Sequence, residues 1–189
     1  MLNIARPFFW LLFYLVILYV RPQEYVPSLM GTPVVPVSLT IATGIWLLAQ
    51  AKLFDAPQHG LMLALTAAIA LSVLATGWVM GAVDAVTKFV PTLLVFYLVA
   101  TSVDSMKRFR EICLLLSALS VVLAVHGMEQ VANEGGVGWT GATTIEGGIT
   151  YLGFLNDPND LSMAFLISLP LTLYLARVTD SIVLRLLPY

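Results

Sequence analysis

Charge is scarce in this sequence. Asp, Glu, Lys and Arg make up 11% of the residues, against about a quarter in an ordinary soluble domain. Hydrophobic residues reach 59% and the mean hydropathy is +0.92, so the chain reads as a polytopic membrane protein. There is one cysteine, Cys113, which excludes an intrachain disulfide framework and a cysteine metal cluster. The net charge of −2 and the lack of any basic tract leave no nucleic-acid partner to expect. No HExxH, CxxC, P-loop or GxSxG pattern is present, so metalloprotease, redox, ATPase and serine-hydrolase chemistry have no support. Neither a metal nor a cofactor is expected, because Asp157 and Asp160 alone make a poor oxygen-ligand set. The first apolar run passes into Val20-Arg21-Pro22 without a small-residue cleavage site, so it reads as a retained span.

What the chain does have is a series of apolar runs near the length of about 20 residues that a helix needs to cross a bilayer. They predict an all-α, polytopic transmembrane helix bundle forming a single domain over residues 1–189. Six spans are expected, at about 5–20, 34–51, 61–83, 87–103, 112–128 and 161–176. Asp84 to Lys88 reads as the tight turn between the third and fourth. The third span carries no charge in its apolar run and many small residues, which allow close helix approach in lipid. One long acidic, glycine-rich loop, about 129–156, separates the fifth span from the sixth. Beyond Arg177 the ending SIVLRLLPY reads as the start of a further apolar stretch, which predicts a truncated chain.

Lys and Arg fix the expected orientation, since cytoplasmic loops are enriched in both. With the N-terminus inside, Arg6, Lys52, Lys107, Arg108, Arg110, Arg177 and Arg185 are cytoplasmic, and only Arg21 and Lys88 are outside. Both termini are then inside. The long loop, which has no Lys or Arg, lies outside.

The joint between that loop and the sixth span is Asn156-Asp157-Pro158-Asn159-Asp160. One reading is a helix start, with Asp157 as N-cap, Pro158 at the first helical position and Asp160 in the first turn. That reading gives Asn156 and Asn159 no task. The other reading is a polar corner, rich in backbone donors, that holds a ligand's hydroxyls or anionic groups. The two are compatible. Arg21 and Lys88 either snorkel at helix ends or neutralise an anionic lipid-linked group. Glu24 either pairs with Arg21 or serves as a general base, and His126 is either an interfacial hydrogen-bonded histidine or catalytic. Glu129, Glu134 and Glu146 read as solvated loop carboxylates, and His59 has no partner in view.

Two stretches carry a family resemblance. Gly153…Asn156-Asp157-Pro158-Asn159-Asp160-Leu161, running into Leu169-Pro170-Leu171, resembles the glycine-to-Pro-Asn corner and Leu-Pro-Leu helix of the O-antigen ligase and polymerase superfamily. The first span followed by Tyr19-Val20-Arg21-Pro22-Gln23-Glu24-Tyr25-Val26-Pro27 is similar to the opening of its bacterial members. The resemblance implies the N-terminal half of a C-type glycosyltransferase in the bacterial inner membrane. Such an enzyme passes a polyprenyl-diphosphate-linked glycan to an acceptor (lipid A core, a growing polysaccharide or a protein) at the outer face. It implies ligase-like or polymerase-like chemistry within O-antigen and lipopolysaccharide biosynthesis. That family's catalytic Arg and His lie in later outer loops, so this stretch is expected to be inactive alone. The alternative reading is a transporter or channel fragment, for which a polytopic bundle with prolines and a polar corner is also suited.

Overall fold

The structure, a computed structural model, describes residues 6–49 and 56–178. Lys52, Arg185, the SIVLRLLPY ending and the outermost residues of the first two expected spans lie outside the described residues. The described chain is all-helical. The helices are α1 (Pro7–Val20), α2 (Val34–Leu48), α3 (Pro57–Leu74), α4 (Val79–Ser102), α5 (Met106–Ala132) and α6 (Pro158–Val178). Two 3-10 turns, Pro22–Glu24 and Gly153–Leu155, complete the order. Among the described residues no strand forms, only isolated bridges between Val137 and Thr143 and between Ile145 and Gly148.

Helices α3, α4, α5 and α6 are each long and apolar enough to cross a membrane. The 14 residues of α1 and 15 of α2 measure only about 21–23 Å along their axes, short of a hydrocarbon core of about 30 Å.

The break between the third and fourth helices differs from the sequence expectation. It falls at Ala75–Trp78, and Asp84 and Lys88 lie inside α4. Gly77 takes a left-handed φ of +80°, the conformation that closes a helix C-terminus and that only glycine adopts without penalty. The Gly77 N–H donates to Leu74 O at 2.9 Å and the Thr76 hydroxyl to Val73 O at 2.7 Å. Asp84 and Lys88 are four residues apart, and a 2.7 Å ion pair joins them along the helix surface; such spacing favours helix over turn.

The charged run before the fifth span is likewise helical. Ser105 caps α5 by accepting from Arg108 N at 3.4 Å, and α5 extends to Ala132. At α6 the helix-start reading holds. Pro158 is the first residue, and Asp157 Oδ1 accepts from Asn159 N–H at 2.7 Å.

Cα proximity divides the chain into two compact units. One comprises Met1–Tyr14 and Pro36–Asp104, the other Leu15–Val35 and Ser105–Tyr189. In the first, α3 and α4 pack together. Trp46 Nε1 donates to Thr101 Oγ1 at 2.7 Å, and Tyr97 OH donates to His59 O at 3.1 Å. In the second, α5 and α6 pack together around Leu123, Tyr151, Leu155, Leu161 and Ala164, flanked by Tyr19, Ile149, Leu152 and Phe165.

Candidate functional site: a polar corner on the second unit

The segment between α5 and α6 is a compact cap. It is held by polar side chains on the last turns of α5, because a buried backbone without ladder partners must find its hydrogen bonds in side chains. Gln130 is fully buried; its Nε2 donates to Ala142 O at 2.9 Å and its Oε1 accepts from Thr150 N–H at 3.0 Å. Thr150 Oγ1 donates to Thr143 O at 2.7 Å. Asn133 Nδ2 donates to Val137 O at 2.8 Å. Glu129, read from sequence as a solvated carboxylate, is half-buried and accepts from Trp139 N–H at 2.8 Å.

His126 sits one turn before Gln130 and is fully buried. Its Nε2 meets Thr140 Oγ1 at 2.8 Å. The Trp139 and Tyr151 rings stand nearly perpendicular to it, with centroids at 4.7 and 4.9 Å. Gly138 closes the remaining side, where a Cβ would overlap the imidazole. His126 therefore pins the cap to α5 and has no open side for a substrate.

The far end of the cap returns to the turn after α1. Tyr151 OH donates to Val20 O at 3.1 Å, and the Tyr19 and Phe154 rings meet edge to face at 5.8 Å. Burial pushes the Tyr151 phenol up to about 12, with Tyr25 and then Glu24 adding to the rise, so it stays a neutral donor.

The next residue of that turn, Arg21, is a non-glycine residue in the left-handed region, at φ 51° and ψ 52°. That conformation costs about 1–2 kcal/mol and persists where surroundings impose it. Two contacts do so. Arg21 Nη1 pairs with Glu24 Oε1 at 2.9 Å. The guanidinium also lies directly over Gly153, at φ +62°, where a Cβ would overlap Nη1 and Cζ. Arg21 Nε is buried without a hydrogen-bond partner, as is Gln23 Oε1 on the same turn.

From Gly153 the chain runs through its 3-10 turn into the exposed Asn156, Asp157, Asn159 and Asp160. The Asn156 N–H donates to Gly153 O at 3.3 Å. The structure thus brings Arg21 and Glu24 to the glycine that opens the Asn156–Asp160 corner. Gln23 and Tyr151 belong to the same corner and were not singled out from sequence. The only sequence signal for Gln23 was its place between a cation and a carboxylate. Lys88 lies in the first unit, paired with Asp84. Among the described residues no three His, Cys, Asp or Glu side chains gather as a metal set.

A family profile matches residues 1–180, nearly the whole chain. The chain belongs to the family of unknown function DUF5935. No curated protein and no solved structure matches it. The matched region contains both α1 with its following turn and the Gly153–Asp160 corner.

Proposed function

We propose that the corner built from Arg21, Gln23, Glu24, Gly153 and Asn156–Asp160 holds the headgroup of a polyprenyl-diphosphate-linked glycan. On this reading the chain supplies part of a C-type glycosyl transfer to an acceptor such as lipid A core, a growing polysaccharide or a protein. The bilayer is the bacterial inner membrane, and the corner faces outward. All six helices are then membrane segments, with both termini inside, and α1 and α2 are completed by flanking residues.

The observation that carries the reading is the guanidinium of Arg21 lying on Gly153. It places a cation, with an unpartnered buried N–H, against the backbone that leads into the α6 N-terminus. A leaving diphosphate gains charge as the glycosidic bond breaks and is stabilised by such a cation. Arginine can grip two phosphate oxygens at once. Glu24 pairs with that guanidinium at 2.9 Å, so headgroup binding is an exchange of a carboxylate for a phosphate. The carboxylates of Asp157 and Asp160 suit glycan hydroxyls better than phosphate, and Asn159 offers both a donor and an acceptor.

The test is glycan transfer by the native full-length protein, with insertion verified. Arg21→Lys and Asn159→Ala are expected to lower transfer, whereas Lys88→Arg leaves it unchanged. Wild-type rates for both Arg21→Lys and Asn159→Ala remove the corner from the reaction. Orientation is checked in a Cys113→Ala background. Glu134→Cys should react with an impermeant thiol reagent in intact cells and Met106→Cys should not; the reverse pattern overturns the outward placement.

A further inference from the structure

The displaced turn between α3 and α4 changes the depth of two charges. The 18 residues of α3 rise only about 27 Å, so crossing a core of about 30 Å uses the whole helix. The Ala75–Trp78 turn must then sit at the membrane surface, and α4 re-enters from there. Asp84 and Lys88, sixth and tenth in α4, lie about 8 and 14 Å below its first residue, and Thr92 about 20 Å.

Among the described residues these side chains are exposed. The Lys88 and Asp84 side chains are 76% and 54% exposed, and Thr87, Pro91 and Thr92 are exposed beside them. At 100° per residue, positions 84, 87, 88, 91 and 92 share one face of α4, while Val90 projects to another. Pro91 cannot donate to the carbonyl of Thr87, which leaves another acceptor on the same stripe. An ion pair in hydrocarbon does not regain its desolvation cost from its own attraction, and ionisable groups on membrane helices face protein or water-filled cavities. Snorkelling of Lys88 toward Asp84 relieves the first two turns but does nothing for Thr92.

We infer that the α4 stripe Asp84–Thr87–Lys88–Thr92 is one wall of a water-filled vestibule, open at the α3–α4 turn and reaching to about mid-membrane. Its wall carries no net charge, because Lys88 and Asp84 balance each other. The Thr87 hydroxyl already donates to Val83 O at 2.7 Å. The wall therefore offers hydroxyl oxygens as acceptors, the Thr92 hydroxyl and the carbonyl freed by Pro91, a set that suits a neutral hydroxyl-rich solute rather than an ion. The inference needs α4 to cross the membrane but does not depend on the corner at Arg21.

Cysteine accessibility in the full-length protein tests it, in a Cys113→Ala background in intact cells. The cysteine thiolate, which forms in water and not in lipid, attacks a methanethiosulfonate reagent to form a mixed disulfide and expel methanesulfinate. Thr87→Cys and Thr92→Cys should therefore react roughly tenfold or more faster than Val90→Cys, which lies between them in depth. Protection of Thr92→Cys to the level of Val90→Cys overturns the vestibule, whether snorkelling or a covering protein surface takes its place. Equal fast labelling at all three positions overturns it as well, by showing that α4 does not lie in lipid.

Discussion

The guanidinium of Arg21 occupies the space that a side chain on residue 153 would need. Both residues have positive φ, yet only one is a glycine, so the strain of the contact is carried by the arginine. The corner is thus a fitted pair, in which a turn after α1 and a turn before α6 each have the conformation the other requires.

Gly153→Ala should therefore displace Arg21 as well as strain its own backbone. The backbone part alone is worth about 1–2 kcal/mol. In thermal unfolding, Gly153→Ala should cost at least about 0.5 kcal/mol more in the wild-type background than in Arg21→Ala, where no guanidinium remains to be displaced. Strictly additive losses would mean that the two residues do not meet.

Removing Gln130 should loosen the cap without touching the corner chemistry. Gln130→Ala leaves the buried Thr150 N–H without its acceptor, a loss of about 1–3 kcal/mol. Limited proteolysis between 133 and 152 should accelerate in this variant. His126→Ala should behave the same way, with transfer falling only in proportion to the folded fraction. Loss of transfer at unchanged stability would instead give His126 a part in the reaction.

Tyr151 makes stability depend on alkaline pH. Its phenol, near 10 when unfolded, is pushed up to about 12 in the fold. The unfolded chain therefore loses its proton first. Stability from this residue is fully present below about pH 10 and falls as pH rises from there through 12, by up to about 2 kcal/mol. Melting curves at pH 9 and 11 should show a larger drop for wild type than for Tyr151→Phe. An equal drop would place the phenol in water.

Much of this was legible in the sequence, and the parts that were not share a cause. Asp157, Pro158 and Asp160 announce the start of α6 because capping is local chemistry, readable within four residues. The α3–α4 turn is hidden in the sequence because Ala75-Thr76-Gly77 continues the apolar, small-residue character of α3, while the charges of Asp84 and Lys88 mark a different place. Their i,i+4 spacing was the signal for helix, and Gly77 the signal for the break. The contact of Arg21 with Gly153 could not be read at all. It depends on where a long loop returns, which no local pattern encodes.

That long return also sets an order of events during synthesis. Val20 and Tyr151, joined by a hydrogen bond beside the corner, are 131 residues apart. At ~5–20 residues per second, Arg21 emerges roughly 7–26 seconds before the loop that receives it. Throughout that interval Glu24, three residues on, is the counter-charge at hand. The corner is assembled only once the loop before α6 is made, so a ribosome that stalls before α6 leaves its arginine and its glutamate holding only each other.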